Sequence, residues 1–77
     1  MTKQELLSEL EDIMELDSGS LKETDSLADL DMWDSLAVVS FIAVVDAELE
    51  LTLEPEKIAK SETVSDLIAL VSGKLEG

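Results

Sequence analysis

Apolar residues near the start of the chain recur at intervals of three and four positions, the spacing of one helix face. The stripe consists of Leu6, Leu7, Leu10, Ile13 and Met14. Thr2 followed by Glu5 matches a capping box, in which each side chain satisfies a free backbone N–H at a helix start. These features predict a first helix that ends near Leu16, because the segment 17–20 is a cluster of helix breakers.

The stretch from Leu36 to Leu49 is strongly apolar and predicts a second helix. Asp34 can cap this helix, which places Ser35 in its first turn. The β-branched residues would also suit a strand, but the length, the cap and the lack of strict alternation favour a helix. The predicted core face consists of Val39, Ile42, Val45 and Leu49, widened by Val38 and Phe41.

Two further helices are predicted in the last third of the chain. A turn leads into a short helix over Pro55 to Ala59, because proline suits the first helical position. Thr63 with Asp66 is a second capping signature, and Gly73 is placed to end the last helix. The residues that this helix is expected to bury are Val64, Leu67, Ile68, Leu70 and Val71.

Residues 17–34 form a long connection rich in Asp and Ser, and a loop of this length in a compact domain is usually functional. Its leucines indicate that the loop packs against the hydrophobic core. The predicted fold is all-α, a four-helix bundle of three longer helices and one short helix, with this long loop between the first two. Residues 1–77 fit a single domain. The last two or three residues are compatible with a remnant of recombinant expression.

Charge is the strongest compositional feature. The chain has 19 acidic residues against 5 lysines, with no arginine and no histidine, and its net charge is −14. The electrostatic field of this negative charge repels nucleic acid and anionic membrane, so neither is an expected partner. It attracts proteins with basic patches, although acidity can also serve solubility alone.

The lack of cysteine excludes disulfides, thiolate zinc sites and cysteine nucleophiles, and agrees with a cytoplasmic location. No secretory signal opens the chain. The apolar run 36–45 is about half the length needed to span a bilayer, so no membrane insertion is expected. Without histidine, Ser35 has no partner of the kind that activates a hydrolytic nucleophile.

The candidate site is the segment Asp34-Ser35-Leu36. A hydroxyl at a helix N-terminus lies where backbone N–H groups and the helix dipole favour an attached anion, such as a phosphodiester. The alternative is an ordinary helix start in which Asp34 is the cap and Ser35 merely an early residue. Taken alone, the tripeptide favours this alternative, because such caps are common.

The order of motifs along the chain resembles the acyl carrier protein family. A capped first helix, a long acidic loop, Asp-Ser-Leu before an apolar helix, a short helix and Thr63-Val64-Ser65-Asp66 occur in that family's order from about Thr2 to Leu75. The resemblance implies that Ser35 carries a covalent 4'-phosphopantetheine arm. It also implies that Asp34 orients the loop for a transferase and its metal, and that Leu36 begins the surface partners read.

That resemblance implies a carrier that holds an acyl group as a thioester and is not itself an enzyme. Its expected partners are a phosphopantetheinyl transferase, an acyl or aminoacyl ligase or transferase, and downstream enzymes of fatty acid or polyketide biosynthesis, and we expect a monomer. Val38, Val39, Phe41 and Ile42 are candidates for sheltering an acyl chain, although their ordinary role is core. Two alternatives stay open: an aminoacyl or peptidyl carrier of the same fold, and an unmodified acidic helical adaptor.

Departures from the fatty-acid-synthesis members point to a specialised carrier with its own ligase or transferase. Ala37 and Ser40 stand where those members usually have acidic residues, whereas Asp46 remains acidic. Trp33 stands where the commonest members have a small residue. The predicted partner-binding residues are therefore Trp33, Ala37, Ser40 and Asp46. Trp33 has an alternative role, which is to pack against the loop leucines.

A calcium loop is the other chemistry that the acidic residues suggest. Starting such a loop at Asp29 puts Asp34 where a glycine is needed and Ser40 where a bidentate glutamate is needed. The segment is therefore not an EF-hand, and no metal site is predicted. Weak binding of divalent ions by the many carboxylates remains compatible with the sequence.

Overall fold

The computed structural model describes residues 1–76, which form four α-helices joined by loops. The helices are α1 (Lys3–Ile13), α2 (Ser35–Leu49), α3 (Pro55–Ala59) and α4 (Val64–Val71). Two 3₁₀ turns are also present, at Leu27–Asp29 and Ser72–Lys74. The predicted all-α fold of three longer helices and one short helix is confirmed, and the short helix has its predicted bounds. None of the helices within residues 1–76 combines the length and hydrophobicity that crossing a bilayer requires.

Both predicted capping boxes are present. The Thr2 hydroxyl accepts the N–H of Glu5 at 3.2 Å, and the Glu5 carboxylate accepts the N–H of Thr2 at 3.1 Å. At α4, Thr63 and Asp66 exchange the same pair of hydrogen bonds. The beginnings of these two helices are therefore determined locally, by side chains three positions apart.

The predicted end of α1 near Leu16 is wrong, because the helix stops at Ile13. Glu15 adopts a left-handed backbone with φ of 56°, and the N–H of Leu16 donates to the carbonyl of Glu11 at 2.8 Å. This is the hydrogen bond that closes a helix C-terminus in a Schellman motif. The position usually belongs to glycine, so a glutamate there gives no sign of a helix end.

Glu50, just after α2, is left-handed in the same way, with φ of 53° and ψ of 37°. Left-handed backbone is unfavourable for a residue with a Cβ. We expect Glu50→Gly to raise the free energy of unfolding by about 1 kcal/mol. Glu50→Ala is the matched control, since it removes the same charge but keeps the Cβ. Chemical denaturation of the three proteins measures this, and equal stability of the two variants would contradict it.

Side chains from all four helices and the long loop form one hydrophobic core. The largest fully buried residues are Phe41, Leu6, Leu10, Met14, Ile58, Leu67, Val45, Val64 and Val71. On α4 the predicted burial is confirmed except at Leu70, which is half-buried. Gly73 does not end this helix: α4 stops at Val71, and Gly73 lies inside the 3₁₀ turn that follows.

The predicted core face of α2 needs correction. Val39 is 62% exposed, whereas Ala37 is 4% exposed and belongs to the buried face. That face repeats every fourth residue and consists of Ala37, Phe41, Val45 and Leu49. Because α2 is apolar on nearly every side, its hydrophobic pattern cannot indicate which stripe turns inward.

The long loop is fastened to the core and to the start of α4. Leu21 and Leu27 are buried as expected and Leu30 is half-buried, but Met32 is 45% exposed. Three backbone hydrogen bonds join the two segments: Leu27 N–H to Glu62, Val64 N–H to Asp25, and Ser65 N–H to Glu23, at 2.9–3.0 Å. The loop therefore approaches α2 from a fixed position.

The cap of α4 makes stability depend on pH. Asp66 accepts the N–H of Glu62 at 2.9 Å and that of Thr63 at 3.2 Å, and these donors lower the pKa of its carboxyl. The ionised group therefore stabilises the fold above the ordinary carboxyl pKa, and this stabilisation disappears as the pH falls through the lowered pKa.

We therefore expect Asp66→Asn to destabilise the protein at neutral pH, with the difference from the parent narrowing in acid. Thermal unfolding across acidic pH measures this difference. Asp29→Asn is the control for loss of one exposed negative charge. A difference for Asp66→Asn that stays constant with pH would contradict the prediction.

Candidate functional site

Ser35 is the first residue of α2, and it is exposed. Asp34 caps the helix, as predicted, by accepting the N–H of Ala37 at 2.9 Å. The chain reaches this cap through a tight turn in which Trp33 N–H donates to the Leu30 carbonyl at 3.0 Å. The Ser35 hydroxyl is therefore presented to solvent on a backbone that is held from both sides.

The start of α2 favours a negatively charged substituent. The helix has 15 residues, and no acidic residue lies in its first turn. Its free N–H groups and dipole place partial positive charge beside Ser35. The Asp34 carboxylate already accepts the N–H of Ala37, so a phosphate diester on this hydroxyl would be stabilised by the remaining free N–H groups and the helix dipole.

An apolar groove of about 530 Å³ begins at Ser35. Its α2 wall consists of Ser35, Val38, Val39 and Ile42. These positions follow the spacing i, i+3, i+4, i+7, so the serine stands at the top of a single helical stripe. Val39, which is exposed against prediction, lies on this wall rather than in the core.

The remaining lining comes from α3, the turn that follows it, and the long loop. The residues are Leu27, Ala28, Trp33, Pro55, Ile58, Ala59 and Ser61. None of the residues lining the groove carries an ionisable side chain. A group tethered to Ser35 therefore has an uncharged, mostly apolar surface directly beside it.

Of the four residues predicted to shelter an acyl chain, three line the groove and Phe41 does not. Phe41 is fully buried in the core. Its ring contacts the Trp33 indole edge to face, with centroids 6.0 Å apart and planes at 69°. The α3 side of the groove was missed because it comes from a segment distant in sequence. The helical stripe that starts at Ser35 was the signal that could have revealed the groove.

A smaller recess of about 200 Å³ lies beside the start of α2 and is separate from the groove. It is lined by Ile13, Glu15, Met32, Asp34, Leu36, Ala37 and Ser40. Leu36 is 75% exposed and stands beside Ser35 in the sequence. The recess therefore combines accessible apolar surface with carboxylates.

The predicted partner-binding residues do not share one surface. Ser40 lies in the recess, whereas Trp33 is half-buried in the groove. Asp46 is exposed about two and a half turns beyond Ala37, and therefore on the opposite side of α2. Ala37 lines the same recess but is only 4% exposed, and its role as a contact residue stays a prediction.

The acidic residues do not assemble into a metal-binding cluster. Across residues 1–76, no group of three acidic side chains comes close enough together to hold a metal ion. The carboxylates of Asp34 and Asp66 are used instead as helix caps.

These features define a class of protein: an acidic four-helix domain that presents a serine at the start of its second helix, above an apolar groove. Residues 4–71 match the family described as "Phosphopantetheine attachment site". The match covers most of the chain, so the protein belongs to this family, and its cofactor is a covalently attached 4'-phosphopantetheine. Members are generally non-catalytic carriers that work with transferases and synthases. No curated protein and no solved structure gives a significant match.

Proposed function

We propose that Ser35 is the residue to which the phosphopantetheine arm is attached, and that the protein carries an acyl group without catalysing a reaction itself. The observation that carries the proposal is the exposed Ser35 hydroxyl at the first position of α2, at the mouth of an apolar groove. Attachment there needs an accessible oxygen and a site that tolerates a phosphate. The helix start satisfies both conditions.

The chemistry of the cargo bond follows from what the chain lacks. It has no cysteine, so none of its own side chains can form a thioester. When bound, the arm supplies the thiol on which an acyl group is held. The contribution of Asp34 is to keep the Ser35 backbone in place through its hydrogen bond to Ala37 N–H. A flexible tether then raises the concentration of cargo at a partner's active site.

An acyl cargo fits the groove better than an aminoacyl cargo does. An aminoacyl group carries an ammonium ion, and burial of an unpaired charge is costly. The groove offers no carboxylate among its lining residues, whereas its valine and isoleucine side chains suit a hydrocarbon. This supports an acyl carrier over the aminoacyl alternative.

The partners that this function requires are a phosphopantetheinyl transferase, an acyl ligase or transferase that loads the arm, and enzymes that use the acyl group. The net charge of −14 favours partners with basic surfaces. The exposed Leu36 side chain, beside Ser35, is the proposed apolar contact for these enzymes. Fatty acid and polyketide synthesis in the cytoplasm are the settings that use such acyl groups.

The experiment is intact-mass measurement of the unmodified protein after incubation with coenzyme A and a broad-specificity phosphopantetheinyl transferase. We expect the parent to gain one arm and Ser35→Ala to gain none. Ser8→Ala, which removes an exposed hydroxyl on α1, should gain one arm like the parent. Arm addition to Ser35→Ala would overturn the assignment. No addition to the parent, with a transferase active on another carrier, would favour an unmodified adaptor.

A further inference from the structure

Resting on the proposed function, we propose that Trp33 is the wall that determines how much of an acyl chain on the Ser35 arm the groove can shelter. Trp33 is the largest side chain lining the groove, and it lies two positions before Ser35. Its indole lines the groove and also packs against the ring of Phe41, which is fully buried.

The rings of Trp33 and Phe41 are in direct contact. At a centroid distance of 6.0 Å and an interplanar angle of 69°, Trp33 and Phe41 pack edge to face. This is a favourable aromatic arrangement that fixes the position of both rings. Trp33 lines the groove, whereas Phe41, the ring it contacts, does not.

The position of Trp33 is also fixed by hydrogen bonds of the backbone. Trp33 N–H donates to the carbonyl of Leu30 at 3.0 Å, and Leu30 itself packs against the core. The next residue, Asp34, is fixed as the cap of α2. An indole anchored by its ring contact and on both sides along the chain forms a fixed boundary to the groove.

Truncating Trp33 should therefore lengthen the groove. Alanine at this position removes the indole and makes the Phe41 ring the new boundary. Phenylalanine keeps an aromatic wall of smaller area. Each methylene that gains a place in the apolar groove changes the ratio of sheltered to free chain by about fourfold. Longer acyl chains should benefit most, because shorter ones already fit.

The test uses the parent, Trp33→Phe and Trp33→Ala, each treated with a broad-specificity phosphopantetheinyl transferase and butyryl-, octanoyl- or dodecanoyl-coenzyme A. The transferase joins the acyl-phosphopantetheine to Ser35 and releases 3',5'-ADP. Intact mass confirms loading, and the rate at which hydroxylamine cleaves the thioester reports how well the cargo is sheltered. Leu70→Ala, a truncation at a half-buried position of α4 outside the groove lining, controls for loss of stability alone. Circular dichroism verifies that each variant is folded.

We expect protection of the thioester from hydroxylamine to increase with the length of the acyl chain up to a limit. That limit should come at a shorter acyl chain in the parent than in Trp33→Ala. Trp33→Phe should lie between the two, and Leu70→Ala should behave like the parent. In the parent, emission of the single tryptophan should also shift when octanoyl cargo replaces the bare arm. The same dependence on chain length in the parent and both folded Trp33 variants would overturn the inference. Failure of the parent to gain an arm would instead overturn the proposed function, so the two outcomes are distinct.

Discussion

Phe41→Ala is expected to lower the free energy of unfolding by about 3–5 kcal/mol, the usual cost of removing a buried aromatic ring. Phe41 is fully buried and contacts both the core and the indole of Trp33. Small domains have a total stability of only about 5–15 kcal/mol, and often the lower end of that range. The substitution should therefore leave the protein close to unfolding at room temperature.

Thermal and urea unfolding measure this effect. In a domain of this size, each 1 kcal/mol lost corresponds to a fall of about 4–8 °C in Tm. Val39→Ala is the matched control on the same helix, because Val39 is 62% exposed, and its effect should stay within about 0.5 kcal/mol. Similar losses for the two variants would show that the ring does not have the central place in the core that its burial indicates.

The second large effect is expected at Glu11, a charged residue of α1 that is only 5% exposed. Its carboxylate accepts the N–H of Leu21 at 3.0 Å in a buried position, and so connects α1 to the long loop. Glu11→Ala leaves this N–H without a partner, which costs about 1–3 kcal/mol. Glu11→Gln keeps an oxygen acceptor on a side chain of the same length, so its loss of unfolding free energy should be smaller.

Hydrogen exchange locates the effect of Glu11 in the chain, in addition to unfolding measurements. In Glu11→Ala we expect faster exchange of the Leu21 amide, because its acceptor is gone and the loop opens more often. In Glu11→Gln the amide should remain protected. Unchanged exchange at Leu21 in both variants would mean that the hydrogen bond does not hold the loop.

Features that depend on neighbouring residues were predictable from the sequence. The capping boxes at Thr2 and Thr63 and the proline at the start of α3 rely on residues a few positions apart, and each was found where predicted. The end of α1 was not predictable, because Glu15 takes a backbone conformation that usually identifies glycine.

The same distinction applies to the candidate site. The place of Ser35 at the start of α2 follows from the Asp34 cap, which is a local signal. The groove depends on α3, whose Ile58 reaches the site only through the tertiary fold. The burial of Ala37 likewise depends on which stripe of α2 turns inward, and an apolar helix does not encode that choice in its own pattern.

The fastening of the long loop to the start of α4 has a topological consequence. Val64 N–H and the carbonyl of Asp25 meet at 3.0 Å, so the intervening chain, with α2, α3 and the whole groove, forms one closed ring. The start of α4 thus closes that ring, although α4 contributes no side chain to the groove lining. A version of the protein cut before Thr63 would lose this closing hydrogen bond. Of the three hydrogen bonds that join the long loop to this segment, only that from Leu27 to Glu62 would remain, and the core would lose the buried side chains of α4.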